Sequence, residues 1–275
     1  MGSSESEAVA PLASKTATLN HISLADPDIE KSVSLLKQET IRKGTILVLK
    51  YLKMIHKQKN HFMDQICGLL LICYLDGGRQ WSSIRGKHSF RRVTKAVAKI
   101  IALALDLDAD FFDKREMLGE PIAVLRLIYY EGNISNPAKG IYGAGAHSDY
   151  GLLTLLATDD VVGLQVCKDK DAQPQIWEFV APLRGALIVN LGDMLERWSN
   201  CIFRSTMHRV VLNGQDRYSV AYFVEPSHEC LVECLPSCHS EANPPKFPPV
   251  TCGSYLLKRY NNTHANLSTY KKHET

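Results

Sequence analysis

No run of apolar residues in this sequence is long enough to cross a bilayer: the longest, Ile66 to Leu75, is about half of what a spanning helix needs. Neither sign of charge is in excess. Lys+Arg 32 against Asp+Glu 29 leaves +3, and the basic residues are scattered, which argues against a dedicated nucleic-acid binder. With 17 glycines and 12 prolines the chain is no collagen, and it shows no internal repeat. A hydrophobic share of 45% excludes a disordered chain and suffices for a sizeable core. No apolar stretch follows the opening Met1-Gly-Ser-Ser-Glu-Ser-Glu7, so no secretory signal is read, and the expectation is a soluble, cytoplasmic protein.

Eight cysteines, at 67, 73, 167, 201, 230, 234, 238 and 252, are then expected as reduced thiols. Cys230, Cys234 and Cys238, flanked by His228 and His239, invite a zinc reading. A row spaced by four lacks the tight Cys-x-x-Cys knuckles of structural zinc sites, which leaves reduced thiols as the expectation. With no secretory signal read, the sequons at Asn133, Asn261 and Asn266 are expected to stay unglycosylated. Gly2 and Ser6 fit the myristoylation pattern, but Glu5 and Glu7 would repel an anionic membrane surface. The basic stretch Lys50 to Lys59 reads as a solvated helix face rather than an RNA patch.

The first eighteen or so residues, rich in Ser, Ala and Glu, read as a disordered tail. Asp26-Pro27 marks a helix start, with Ile29, Val33 and Leu36 recurring behind it. Residues 40 to 88 show a strand-like Thr45–Leu49, a basic stretch and an apolar run, without a clean period. Val93, Val97, Ile100, Ile101, Ala104 and Leu105 then lie on one face of a helix over about 90 to 105. After Pro121 come short apolar runs: Ile122–Tyr130, Leu152–Ala157, Leu164–Cys167, Ile176–Val180, Ala186–Asn190, Thr206–Leu212 and Tyr218–Val224. Gly163, Pro182, Gly185, Gly192-Asp193 and Asn213-Gly214 break them, a spacing that predicts a sandwich or barrel. The Pro-rich stretch from Pro236 to Pro249 reads as extended, and Cys252 to Arg259 as a last short helix.

The chemistry concentrates in Gly143-Ala-Gly-Ala-His147-Ser-Asp149-Tyr-Gly. His147 and Asp149 are two apart, so on an extended strand both project from one face, offering an imidazole and a carboxylate to a divalent iron. A solvated loop pair would show the same text. A third ligand must come from a distant strand, and His208 stands polar in the middle of an apolar one; a hydrogen-bonded core histidine is the alternative. Arg217 and Ser219 again share a strand face. A guanidinium fork and a hydroxyl suit the far end of a dicarboxylate, against the alternative of a surface arginine in a salt bridge.

In this order, His-x-Asp, a distant His and Arg-x-Ser resemble the plant iron(II)/2-oxoglutarate-dependent dioxygenases, the group of flavonol synthase, gibberellin oxidases and hyoscyamine hydroxylase. The resemblance runs from about Pro121 to Pro226 and includes Tyr129-Tyr130, Asn190-Leu-Gly-Asp193, Trp198-Ser-Asn200 and Phe223-Val-Glu-Pro226. It implies a mainly β fold with flanking helices around a double-stranded β-helix (jelly roll) core. It implies iron ligation by His147, Asp149 and His208, and 2-oxoglutarate held at its far carboxylate by Arg217, Ser219 and Tyr130. The cofactors it implies are Fe(2+), 2-oxoglutarate and O2, with ascorbate as a candidate reductant. The partner is a small-molecule substrate, with no nucleic acid and no membrane.

The same resemblance divides the chain into an N-terminal region, 1–118, and a dioxygenase domain, 119–275, with its core at 121–226 and a C-terminal extension. Leu19 to Gln38 resembles the family's beginning. The Gly-Phe-Phe and Asn-His-Gly text expected next is absent, and Ile128 stands where an Asn often precedes the tyrosines. Residues 40–88 do not resemble the family, which suggests a missing internal segment. Two further readings stand beside an active oxygenase: a non-catalytic relic that keeps the metal site, and a metal-free sandwich in which five matched residues coincide by chance.

Overall fold

The computed structural model describes residues 21–23, 29–40, 46–50, 84–183 and 186–264. The N-terminal tail with Gly2, the Asp26-Pro27 helix start, residues 51–83 with the basic stretch and the apolar run, Gly185 and Asn266 lie outside them.

Strands and helices follow in the order β1 (His21–Ser23), α1 (Ile29–Thr40), β2 (Ile46–Lys50), α2 (Ile84–Ala104), β3 (Ile122–Tyr130), β4 (Ala144–His147), β5 (Leu153–Thr158), β6 (Leu164–Cys167), β7 (Trp177–Phe179), β8 (Ala186–Leu191), α3 (Asp193–Trp198), β9 (His208–Val210), β10 (Arg217–Glu225), β11 (Leu231–Val232), β12 (Val250–Thr251) and α4 (Cys252–His264). Two sheets hold most of them. A six-stranded sheet has the order β1-β2-β8-β5-β10-β3, and a four-stranded sheet the order β4-β9-β6-β7. Every pairing is antiparallel except that of β1 with β2. From β3 to β10 the chain moves back and forth between the two sheets, which is the winding of a double-stranded β-helix. The core is a jelly roll with flanking helices.

Period-2 alternation sorts the six-stranded sheet into two faces. Leu153, Leu155, Val189, Leu191, Val220, Tyr222 and Val224 point outward and pack with Val93, Val97, Ile101 and Leu36 of the two long helices in one continuous core. Phe90 stacks on Tyr222 with ring centroids 5.1 Å apart, fastening α2 to β10, the strand beside the edge strand β3. The alternate residues Leu156 and Ile188 point inward and meet Leu164, Val166 and Val210 of the smaller sheet in a second, smaller core. That inner cluster leaves one end of the jelly roll to polar side chains.

Some expected elements differ in extent. Helix α2 begins at Ile84, ahead of the first periodic apolar residue, because its opening turns are polar and carry no period. Residues 40–88 contain β2, whose backbone pairs with β8. Around His208 the strand has only three residues, His208–Val210. The stretch after Pro236 is not simply extended: it holds a 3-10 turn at Pro236–Cys238 and a bridge between Ser240 and Asn243. No described helix is long and apolar enough to cross a membrane.

Candidate metal centre

His147 is the last residue of β4, and His208 is the first of β9; the two are directly paired across the strands. Their rings lie 4.3 Å apart, centroid to centroid. Asp149 does not continue β4 as a same-face strand neighbour. A register shift interrupts β4 between Ala144 and His147, and the chain leaves the strand after His147. The carboxylate instead comes from a turn. Likewise His208 starts its strand rather than sitting in the middle of one. The corrected geometry still brings the three side chains together: His147, Asp149 and His208 each offer an atom, all within 4.8 Å of one another.

Each donor is oriented by a second bond. His147 Nδ1 meets Gly145 O at 2.7 Å, and His208 Nδ1 meets Thr206 O at 2.9 Å. A carbonyl only accepts, so both rings carry their proton on Nδ1 and turn the Nε2 lone pair inward. Asp149 Oδ2 accepts from Thr154 Oγ1 and from Asn190 Nδ2, both at 2.6 Å. Oδ1 is left facing the imidazoles, 3.8 Å from each Nε2. Burial lowers the His208 pKa, against the pull of Asp149, which keeps its imidazole in the neutral, ligating form. Two imidazole nitrogens and one carboxylate oxygen, converging and otherwise committed, are the donor set of a facial triad with open positions.

Backbone contacts hold the turn that carries Asp149. The first N–H groups of α3 donate to its carbonyls: Asp193 N to Asp149 O at 2.9 Å and Met194 N to Gly151 O at 3.1 Å. Such an approach needs glycine, since a Cβ on Gly192 would stand 2.1 Å from Gly151 O.

Arg217 and Ser219 project inward from β10, and Tyr130 inward from β3 beside them. The guanidinium carbon of Arg217 lies 5.4 Å from the Tyr130 ring centroid. Arg217 is 2% exposed, and its Nε donates to Val161 O at 3.3 Å. Among the described residues no carboxylate lies within ion-pair distance of it. Asp159 attracts it from beyond that distance, with its own oxygens taken by Val161 N and Tyr218 N, so a buried cation lacks a direct partner and the cradle fits an incoming carboxylate. Burial also raises the Tyr130 hydroxyl pKa, keeping it a donor. On the same face of β10, burial and then the charge of Asp149 push the Glu225 carboxyl up to about 7.

Residues 121–226 match the family model described as the 2OG-Fe(II) oxygenase superfamily. Over these residues the chain is similar to members of that superfamily. Among curated proteins, the chain is 50% identical over 190 residues to kihadalactone A synthase LFS of Citrus sinensis, covering 69% of this chain and 57% of the relative. Azadirone synthase LFS of Melia azedarach is 46% identical over 175 residues, covering 63% and 52%. The chain therefore spans a little over half the length of these relatives. Among solved structures, JOX2 in complex with 2OG, Fe and JA superposes with a TM-score of 0.69 at 22% identity, over 89% of this chain and 86% of that one.

Thr154 and Asn190 hold the Asp149 carboxylate, a role the sequence motifs do not assign: they pass over Thr154 and take in Asn190 only within the Asn190-Leu-Gly-Asp193 text. Their signal was a polar side chain inside an apolar run, at a position where alternation points it inward. Among the described residues the six cysteines are free, and they form no metal-ligating group with His228 or His239. Burial pushes the Cys230 thiol up to about 11 and that of Cys252 to about 12, which makes them inert core residues.

Proposed function

We propose that the chain is an iron(II)- and 2-oxoglutarate-dependent dioxygenase that oxidises a small specialised metabolite, by hydroxylation, demethylation or desaturation. The observation that carries this reading is the convergence of His147, Asp149 and His208 at the mouth of the jelly roll, with the buried Arg217, which has no direct ion pair among the described residues, deeper on the inner face. When bound, iron(II) with 2-oxoglutarate supplies the oxidising power from O2, releasing succinate and CO2.

The residues divide the remaining work. His147 and His208 present Nε2, and Asp149 presents Oδ1, as the three metal ligands. Arg217 neutralises the far carboxylate of 2-oxoglutarate, with Ser219 and Tyr130 adding hydroxyl donors. Thr154 and Asn190 hold the ligand carboxylate still. The His147 side chain is 41% exposed, against 12% for His208, which favours substrate approach from the His147 side. The names of the plant relatives, two synthases, support a metabolite substrate. On this reading residues 119–275 form the dioxygenase unit around the core 121–226, and 1–118 form an N-terminal region whose β2 and α2 join the same sheet and core. The protein works in the cytoplasm, with ascorbate as an accessory reductant and without nucleic-acid or membrane partners.

A second reading has its own support. Residues 40–88 lack the Gly-Phe-Phe and Asn-His-Gly text that the resemblance leads one to expect there, which favours a relic that keeps the metal site without a finished substrate pocket. Succinate release measured against pooled plant metabolites separates the two. Substrate-dependent succinate with a matching oxidised product supports the enzyme. Succinate without any oxidised product supports the relic, and no succinate under any condition contradicts the dioxygenase.

A further inference from the structure

The C-terminal helix reaches the loop that carries the metal-binding carboxylate. We infer that Asp193, Tyr255 and Arg259 form a positioning clamp through which α4 holds residues 148–151, and so holds Asp149 in place for the metal. The inference rests on the reading of Asp149 as a ligand.

Asp193 opens α3 and is 8% exposed. Its backbone N–H holds Asp149 O, as described above, while its carboxylate Oδ2 accepts from Tyr255 OH at 2.9 Å and pairs with Arg259 Nη2 at 3.2 Å. The same Arg259 nitrogen reaches Ser148 Oγ at 3.3 Å, and the guanidinium lies over the Tyr150 ring at 4.6 Å. One arginine of α4 thus grips both neighbours of Asp149 in the chain, and the carboxylate it pairs with belongs to the residue that holds Asp149's own carbonyl. Burial and the Asp193 charge raise the Tyr255 phenol, so it remains a donor to that carboxylate. Arg197 extends the clamp: its guanidinium lies 5.3 Å from the Tyr255 ring centroid and donates to Pro248 O at 2.7 Å, at the entry to β12 and α4.

None of these side chains touches a ligand atom, so their role is to position. An exposed arginine pair adds little global stability. Here several contacts from one helix converge on a buried carboxylate and on the two residues beside a metal ligand. Ligation tolerates only about 0.5 Å of misplacement, so the clamp acts on metal affinity more than on folding.

The test uses the full chain, stripped with a chelator and titrated anaerobically with iron(II) against a competing fluorescent chelator, with the Tm of each metal-free protein measured alongside. Arg259→Ala and Asp193→Asn are expected to weaken iron binding about tenfold, the lower end for residues that support ligands, with Tm nearly kept and a smaller loss in Arg259→Lys. Arg204→Ala, which breaks an exposed pair with Asp171, serves as the control and leaves affinity unchanged. If Asp193→Asn unfolds, Arg259→Ala and Tyr255→Phe decide, since both leave the buried carboxylate in place. Parent-like iron affinity in these variants, while Asp149→Ala loses binding, overturns the clamp and leaves the metal reading standing. A parent protein that binds no iron overturns both.

Discussion

The two faces of the six-stranded sheet are made by alternate residues of the same strands, yet they do opposite work. On β5, Leu153 and Leu155 point out to the helices, while Thr154 between them points in and holds Asp149. On β8, Val189 and Leu191 are core and Asn190 between them is the second donor to that carboxylate. On β10, Val220, Tyr222 and Val224 pack against α2, while Arg217, Ser219 and Glu225 face the interior. The outer face buries apolar area and stabilises the fold. The inner face carries buried polar groups, each tolerable only because it is bonded or awaits a ligand. Folding and chemistry are thereby separated by one residue of register.

That separation can be broken one face at a time. The largest effect belongs to the outer face: Leu155→Ala, at a fully buried position, should cost about 2–5 kcal/mol in denaturant unfolding and leave iron affinity per folded molecule unchanged. On the inner face, Arg217→Ala should cost about 2–3 kcal/mol of 2-oxoglutarate binding, the worth of bonds to a charged group. In steady-state kinetics it should raise the 2-oxoglutarate KM far more than it alters iron affinity. Equal loss of both would contradict the cradle. Thr154→Val, nearly isosteric, should weaken iron binding about tenfold through the freed carboxylate, with little change in Tm.

A pH dependence reads the same inner face through stability rather than through binding. Glu225 has its carboxyl raised from 4.5 to about 7, so between those values the folded metal-free chain keeps a proton that the unfolded chain has released. Stability contributed by that proton is present below about 4.5 and is lost as pH rises through 7. Metal-free protein should therefore lose on the order of 1–3 kcal/mol across that window, and Glu225→Gln should flatten the loss in denaturant unfolding at pH 5.5 and 7.5.

Much of the architecture was legible in the sequence, and the reason is periodicity. β3 and β6 have the expected bounds, Ile122–Tyr130 and Leu164–Cys167, because long or wholly apolar runs announce themselves. The buried stripe of α2 was equally plain. β4 was not: Ala144-Gly-Ala-His147 has little strand propensity and becomes a strand only by pairing with β9. α3, six residues long, is too short to show a period, and its role in fixing the Asp149 turn depends on backbone bonds that no side-chain pattern encodes. The six site residues were visible as types and spacings. Their mutual placement came from register and from one turn, which is why Asp149 sits beyond the strand it was expected to share with His147.

The most direct measurement of the central claim is an anaerobic titration of the metal-free protein with iron(II) and 2-oxoglutarate, followed in the visible spectrum. The account predicts a weak charge-transfer band that saturates at one iron per chain and is abolished in Asp149→Ala. A parent protein that shows no band, or a band that survives in Asp149→Ala, would contradict it.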